Sequence, residues 1–391
     1  MTDKDSIQWP RGFRTAAVAC GIKPSGNSDL LVLTSDEPAE AFGMFTTNKF
    51  VAAPVVYSKR IIDSYIPIKA VVVNAGNANA GTGPQGEEDV LNMAAAVAKG
   101  LRCSDVEVLV ASTGVIARKL PMENIMNGIS DVTSALEKKE HCTVIEAAEA
   151  IMTTDTISKS ATRCFDGVTL TGIAKGVGMI HPGMATLLGF ITTDAVLNRE
   201  QAESMLRPIV DRTFNAISVD NDMSTNDMII LLANGASGKT SDNLEHELES
   251  LCLELALSCV RDGEGATKLV TVTVKGCASD KDARDACEAI STSYLVKSAL
   301  HGEDPNWGRI LAAVGRSGAE FSPDDVIVKL QGHILLENGN PVLEDLTEVN
   351  KAMKSSEISI EVDLNAGDFA WKVYTSDLSE EYVTINADYT T

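Results

Sequence analysis

The feature that most constrains the fold is an irregular alternation of strand-length apolar runs with long amphipathic segments. Runs rich in β-branched residues predict strands at residues 30–33, 70–73, 106–112, 228–233 and 268–274. Between them, apolar residues recur every three or four positions, which predicts helices over residues 87–99, 199–214, 243–260 and 283–300. Hairpin-like pairs interrupt this alternation at 162–170 and 329–342. The order favours an α+β fold, a mixed sheet or two packed sheets covered by helices, over a doubly wound parallel sheet.

Charge and composition limit the class of partner. The 391-residue chain carries 33 Lys and Arg against 55 Asp and Glu, a net charge of −22, which would repel nucleic acid or an anionic membrane. No apolar run approaches the roughly 18 residues of a membrane span. The start, MTDKDSIQWPRGF, has the pattern of neither a signal nor a transit peptide, and the eight cysteines lack Cys-x-x-Cys spacing. We therefore expect a cytoplasmic protein that acts on a small molecule or binds another protein.

Two glycine-rich stretches are candidates for ligand loops. The first, KGVGMIHPGMATLLGFITTDA (residues 175–195), fails as a dinucleotide loop because His181 stands where the third glycine belongs. It fails as a Walker loop because Lys175 precedes the glycines. The second, NAGNANAGTGPQG (residues 74–86), follows a predicted strand. It is interpreted either as a turn that uses the tolerance of Asn and Gly for positive φ, or as a loop that supplies backbone groups to a site.

A hydroxyl nucleophile suits the first stretch better than a phosphate. A threonine can use its own α-amine as base once the chain is cut in front of it, and this amine has a reference pKa of about 7.7 to 8.0. Ala185-Thr186 fits that chemistry because alanine leaves the scissile carbonyl open and glycines flank it. The five histidines are scattered without metal-ligand spacing, so no metal is expected. A threonine in an apolar strand is nevertheless usually a core residue, and the pattern alone leaves both interpretations open.

The chain as a whole resembles the ornithine acetyltransferase (glutamate N-acetyltransferase) family of arginine biosynthesis. The segment from Lys175 to Ala195 resembles that family's self-cleavage segment. Further similar motifs follow in the family's order: GFRTAAVACGIK (12–23), MFTTNKFVAAPV (44–55), NAGNANAGTG (74–83), STGVI (112–116), MTTDT (152–156), FNAISVDNDMSTND (214–227), DGEGATK (262–268), DPNWGRILAAVG (304–315) and YVTINADYTT (382–391).

The resemblance implies a self-cleaving acyltransferase without a cofactor. Its fold would be an N-terminal-nucleophile-like αββα sandwich with a smaller C-terminal α/β part. Self-cleavage would give an alpha chain, 1–185, and a beta chain, 186–391, which together form one catalytic unit in an α2β2 assembly. Acetyl would pass from N-acetylornithine to Thr186 and then to glutamate in a ping-pong cycle, with acetyl-CoA as an alternative donor.

The resemblance also assigns site residues. Thr186 would be the nucleophile, and the Thr113 hydroxyl and Gly114 N–H would form the oxyanion hole. Substrate binding would fall to Thr153, Lys175, Thr186, Glu264, Asn386 and Thr391. Without the resemblance, STGVI would equally be a strand-ending turn, and Lys175 and Glu264 would be solvated surface charges.

Some positions depart from the family pattern, and two other functions stay open. The departures are Gly81, Ala117, Asn221, Met223 and Thr390, of which Asn221 is expected to tolerate a positive φ. One alternative function keeps the nucleophile but uses water as acceptor, as in a self-cleaving amidase or aminopeptidase. The other is an uncut binding protein that uses the Asn/Gly-rich loop.

The assigned nucleophile yields a first prediction. Thr186→Ala should abolish both cleavage after Ala185 and turnover, whereas Thr186→Ser should retain part of each because a hydroxyl remains. Intact-mass measurement of the purified chains reports cleavage, and an acetyl-transfer assay reports turnover. A Thr186→Ala enzyme that still transferred acetyl at a comparable rate would contradict the covalent route.

Overall fold

A computed structural model describes residues 7–181, 187–342 and 345–388. The strands are β1 (Phe13–Val18), β2 (Leu30–Phe45), β3 (Ile68–Asn77), β4 (Val108–Val115), β5 (Lys159–Phe165), β6 (Val168–Lys175), β7 (Leu188–Thr193), β8 (Ile217–Ser218), β9 (Met228–Ala233), β10 (Leu269–Cys277), β11 (Ile327–Leu330), β12 (His333–Glu337), β13 (Asn340–Pro341), β14 (Glu357–Asp363) and β15 (Phe369–Ser376). The helices are α1 (Ala53–Asp63), α2 (Gly83–Leu101), α3 (Met122–Glu137), α4 (Val144–Ala150), α5 (Arg199–Arg212), α6 (Leu244–Arg261), α7 (Asp280–Ser291), α8 (Tyr294–His301), α9 (Trp307–Gly315), α10 (Thr347–Ala352) and α11 (Glu380–Asp388).

The long strand β2 joins two halves of an eight-stranded mixed sheet. Its first part, before the register shift between Thr34 and Ala39, pairs with β1 and β3, and its last part pairs with β9. The strand order is β4-β3-β2-β9-β7-β6-β5, with β1 on β2. β3 and β4 run parallel, as do β7 and β9, while β6 lies antiparallel to β5 and β7.

The two halves of this sheet share one core. Alternate side chains of β6, β7 and β9, such as Ile173, Phe190 and Ile230, are buried in the same cluster as Val71 and Leu109 of the other half. The intervening residues of β6, β7 and β9 face a second core with α5 and α6, while α2 and α3 pack on β1, β2 and β4. Because strand side chains alternate between faces, this arrangement is a helix–sheet–sheet–helix sandwich, and the predicted α+β fold of packed mixed sheets is confirmed.

A second sheet forms the predicted C-terminal part. Its order is β13-β12-β11-β14-β10-β15-β8, and its strands share a third core with α7 to α10. Helix α6 packs against both sheets. The described part of the chain contains no helix with the length and apolarity of a membrane span.

Three sequence expectations need correction. The predicted helix over 283–300 is two helices, α7 and α8, because the Ser293 hydroxyl accepts a hydrogen bond from the Val296 N–H and caps a new helix. The strand predicted from 106 begins at Val108, since Asp105–Glu107 form a 3-10 turn. The Asn/Gly-rich loop is shorter than expected, because β3 continues through Asn77.

Candidate active site

The side chain of Lys175 lies at the centre of the site. Lys175 is the last residue of strand β6 and is 3% exposed. Its Nζ donates to the Thr153 Oγ1 at 2.7 Å and to the Thr113 Oγ1 at 3.3 Å. Two of the predicted substrate-binding residues and one predicted oxyanion donor therefore meet directly, and the expectation of a solvated Lys175 surface charge is wrong.

Asp155 supplies the negative charge behind this lysine. Its Oδ2 lies 3.9 Å from the Lys175 Nζ, and its Oδ1 accepts from the Lys159 Nζ at 2.7 Å and from the Gly176 N–H at 2.8 Å. Burial favours the neutral acid, but the neighbouring ammonium groups of Lys175 and Lys159 outweigh it and hold the pKa of Asp155 at about 2. The buried cations are thus matched by a carboxylate at neutral pH.

Thr113 and Gly114 lie at the end of β4, where the backbones of two parallel strands approach closely. Gly114 has φ +129°, and a Cβ there would lie 2.3 Å from the Gly76 carbonyl carbon on β3. A side chain at 114 would therefore force the strands apart. The position requires glycine for packing as well as for any role in a site.

Asparagine side chains fix these strand ends. Asn74 accepts from the Ser112 hydroxyl at 2.6 Å, and Asn226 donates to the carbonyls of Ala78 and Ser112 at 2.6 and 2.9 Å. The Asn/Gly-rich stretch (74–86) and the STND segment (224–227), which precedes β9, therefore both bind Ser112, the residue before Thr113. These bonds to buried polar groups explain the asparagines at positions 74 and 226.

Glu264 closes another side of the site. Its Oε1 accepts from the Thr154 hydroxyl at 2.9 Å, and its Oε2 accepts from the Asn386 amide at 2.8 Å. A Cβ at Gly178 would lie 2.6 Å from the same Oε2, so the glycine there admits the carboxylate. Asn386 is on α11, which brings the C-terminal helix to the site.

These groups line one cavity of about 170 Å³. Lys175 contributes a cation to its wall, and Asp220, Asp222 and Glu264 contribute carboxyl groups. Asp220 accepts from the Met179 N–H at 2.6 Å, and burial raises its pKa. The cavity is lined by Ala78, Thr113, Gly114, Ile116, Thr153, Thr154, Lys175, Val177, Gly178, Met179, Asp220, Asp222, Ser224, Thr225, Asn226, Glu264, Tyr382 and Asn386.

The structure brings together most of the predicted site residues. Thr113, Gly114, Thr153, Lys175, Glu264 and Asn386 all line the cavity. Ala185, Thr186 and Thr391 lie outside the described residues. Within the part of the chain that is described, no group of three His, Cys, Asp or Glu side chains is arranged to hold a metal ion.

Sequence analysis missed several polar residues of the site, among them Thr154, Asp155 and Asp227. Asp155 and Thr154 belong to the MTTDT motif and Asp227 to the STND segment, yet neither motif suggested a role for them. The Asp227 Oδ1 accepts the Leu187 N–H at 3.1 Å, which links the start of β9 to the start of β7. For Asp155 and Asp227, the sequence signal that could have indicated a role was a carboxylate inside a recognised motif.

Two departures from the family pattern occupy strained backbone positions. Asn221 has φ +72°, as expected for a residue that tolerates this region, and Ala117 has φ +59° where the family often has glycine. Ala117 therefore carries a conformational cost that glycine would avoid. Thr390 lies outside the described residues.

Comparisons with known proteins agree with the resemblance. The chain matches the model of the ArgJ family over residues 14–391. The arginine biosynthesis bifunctional protein ArgJ of Thermus thermophilus is 48% identical over 388 residues, covering 99% of this chain and 100% of that protein. The glutamate N-acetyltransferase of Methanocaldococcus jannaschii is 46% identical over 403 residues, covering 98% of both. A solved structure of ornithine acetyltransferase from Mycobacterium tuberculosis, complexed with ornithine, is 37% identical over 46% of this chain and 94% of that chain, with a TM-score of 0.42.

The length and identity of the curated matches decide the family. They extend over nearly the whole chain, so the similarity is not confined to a single motif. The predicted enzyme class, an acyltransferase of arginine biosynthesis, is confirmed with the family. The chain belongs to the ArgJ family.

Proposed function

We propose that this protein is a glutamate N-acetyltransferase that moves acetyl from N-acetylornithine to glutamate through an acetyl-Thr186 intermediate. The observation that carries the proposal is the buried Lys175 ammonium, which donates to the hydroxyls of Thr113 and Thr153 at the wall of the cavity. An ammonium group is only a donor, so both hydroxyl oxygens act as acceptors toward it. Each hydroxyl keeps its own hydrogen to donate to a ligand.

This direction of the hydrogen bonds, which leaves the hydroxyl hydrogens of Thr113 and Thr153 free to donate, suits acyl transfer. Attack on the acetyl carbonyl produces a tetrahedral oxyanion in each half-reaction, and stabilising it requires donors aimed where the charge develops. The Thr113 hydroxyl is one such donor, and the nearby Lys175 charge strengthens it. The Gly114 N–H is proposed as the second donor.

The charges of the cavity suit the two amino-acid substrates. Lys175 is proposed to attract the α-carboxylate or acyl region of the substrate, and Glu264 a cationic group such as the side-chain ammonium of ornithine. Asn386 already contacts Glu264, which supports a role for the C-terminal segment, including Thr391, in closing the pocket. Glutamate must be held in attack geometry to compete with water, and such orientation is worth roughly 7 to 11 kcal/mol.

Self-cleavage between Ala185 and Thr186 is part of the proposal. Chains 1–185 and 186–391 would remain joined by the ladders between β6 and β7 and between β2 and β9, which supports one catalytic unit from two chains. An assembly of two such units is carried over from the family resemblance. The eight cysteines are free thiols, which supports a cytoplasmic location.

The acyl donor and acceptor can each be tested directly. With labelled N-acetylornithine, glutamate should take up the acetyl group and suppress the release of free acetate, because the oriented amine outcompetes water. Measuring both products against glutamate concentration checks this, with the Thr186→Ala chain as the inactive control. Acetate release that does not respond to glutamate would favour the amidase alternative. Replacing the donor with acetyl-CoA tests whether this chain also makes N-acetylglutamate from that thioester.

Thr113 should act on the chemical step more than on binding. Thr113→Ala should lower kcat by on the order of 10² to 10³, with a smaller change in KM, because it removes a donor that matters most in the transition state. Thr113→Ser keeps the hydroxyl and is the matched control. Steady-state kinetics of both variants decide this, and an unchanged kcat in the alanine variant would remove Thr113 from the oxyanion hole.

A further inference from the structure

The cavity wall contains two consecutive threonines whose hydroxyl groups are oriented in opposite directions. The Thr153 Oγ1 accepts a hydrogen bond from the Lys175 Nζ at 2.7 Å, whereas the Thr154 Oγ1 donates to the Glu264 Oε1 at 2.9 Å. Because a hydroxyl has a single hydrogen, the Thr154 hydrogen is committed to Glu264, and its oxygen lone pairs remain for a ligand. Toward the cavity, Thr153 is therefore a donor and Thr154 an acceptor.

Asn386 adds a second acceptor beside Thr154. Its amide nitrogen donates to the Glu264 Oε2 at 2.8 Å and to the Tyr382 carbonyl oxygen at 3.0 Å. Both partners are acceptors, so these bonds identify which end of the amide is the nitrogen and use both of its hydrogens. The other end of the amide, Oδ1, can only accept. Thr154, Glu264 and Asn386 thus form an acceptor side of the cavity.

The acceptor side lies next to a donor side made of Thr113, Thr153 and Lys175. The two sides meet between residues 153 and 154, whose Cα atoms are separated by one peptide unit, about 3.8 Å. A ligand that carries both a carboxylate and an ammonium group can satisfy both sides at once. A ligand without the ammonium group would leave the acceptor side without a donor, and unpaired polar groups in a closed site cost binding free energy.

The bond from Thr154 to Glu264 is not needed to join the two loops that carry these residues. The Thr156 hydroxyl already donates to Asp262, and the Lys159 Nζ contacts the same carboxylate at 2.6 Å. Neither Thr156 nor Asp262 lines the cavity. The loops are therefore held together outside the cavity, and the hydroxyl of Thr154 has a role inside it.

We propose that Thr154 is a specificity-determining residue, whose hydroxyl oxygen accepts a hydrogen bond from the side-chain ammonium of the acetyl donor beside the Glu264 carboxylate. This inference rests on the proposed function and deepens it. Glu264 supplies the charge that attracts the ammonium group, and it also orients the Thr154 hydroxyl so that the oxygen faces the ligand. The carboxylate of the same donor binds the donor side through Thr153 and Lys175.

The test compares two acetyl donors that differ only in the ammonium group. They are N-acetylornithine and N-acetylnorvaline, which has a hydrogen in place of the side-chain amino group. The measured quantity is the ratio of kcat/KM for the first donor to kcat/KM for the second, with glutamate as acceptor. Both donors deliver the same acetyl group, so a variant that only weakens the fold or the chemical step lowers both values and leaves their ratio unchanged.

Three variants isolate the Thr154 hydroxyl. Thr154→Val keeps the shape of the side chain and removes the hydroxyl, and Thr154→Ser keeps the hydroxyl. Thr156→Val is the matched control, because it removes a hydroxyl-to-carboxylate bond between the same two loops outside the cavity. Thermal unfolding of each variant reports its folding.

The wild-type enzyme should prefer N-acetylornithine, and Thr154→Val should lower the ratio by roughly 10- to 100-fold, the usual effect of losing a hydrogen bond to a charged group. Thr154→Ser should keep most of the ratio, and Thr156→Val should match the wild type. A Thr154→Val enzyme with the wild-type ratio, a serine variant as impaired as the valine variant, or an equal loss in Thr156→Val would overturn the role of Thr154.

Glu264→Gln separates failure of this inference from failure of the proposed function. If Glu264→Gln loses the preference while Thr154→Val keeps it, Glu264 remains the group that binds the cation, and the role of Thr154 alone is overturned. If Glu264→Gln keeps the wild-type ratio, or if the wild-type enzyme does not prefer N-acetylornithine, the cation site itself is overturned, and the inference fails with it.

Discussion

The site depends on compensating the positive charge of the buried Lys175 side chain. A buried ammonium without a partner would destabilise the fold. Asp155 compensates the charge, and Asp155 is itself held by Lys159, which also contacts Asp262 at 2.6 Å. Removing one member of such a buried pair typically costs about 3–5 kcal/mol. The two threonine hydroxyls at the cavity wall are therefore oriented by a charge network that reaches from β5 to the loop after α6.

The same architecture explains why the site is assembled from distant parts of the sequence. The end of β4 provides Thr113, the end of β6 provides Lys175, and the STND segment before β9 holds both the strand ends and Leu187. β6 and β7 are neighbours in the sheet, so the segment proposed to be cut connects two strands already fixed by their own ladders. A chain break there would leave the packing of both cores in place.

The sequence predicted the layered fold and the family better than the local details of the site. Apolar runs such as 70–73 and 228–233 predicted strands correctly because short, continuous runs of apolar and β-branched residues are typical of buried strands. The break at Ser293 was missed because the apolar period continues across it, and only the capping bond marks the new helix. Lys175 looked like a solvated charge since its partners Thr113 and Thr153 are 62 and 22 residues away. The resemblance supplied its place in the site, but the bonds of Asp155 and Asp227 required the three-dimensional structure.

We propose above all that Thr186 carries acetyl covalently and that the hydroxyls oriented by Lys175 assist the transfer. Adding N-acetylornithine without glutamate, quenching rapidly and mapping the digested protein by mass spectrometry tests it most directly. We expect one acetyl group per catalytic unit, on the peptide that begins at Thr186, and we expect it to disappear when glutamate is added before the quench. Acetyl-transfer turnover without any protein-bound acetyl, or an acetyl group on another residue that glutamate removes at the rate of turnover, would contradict it.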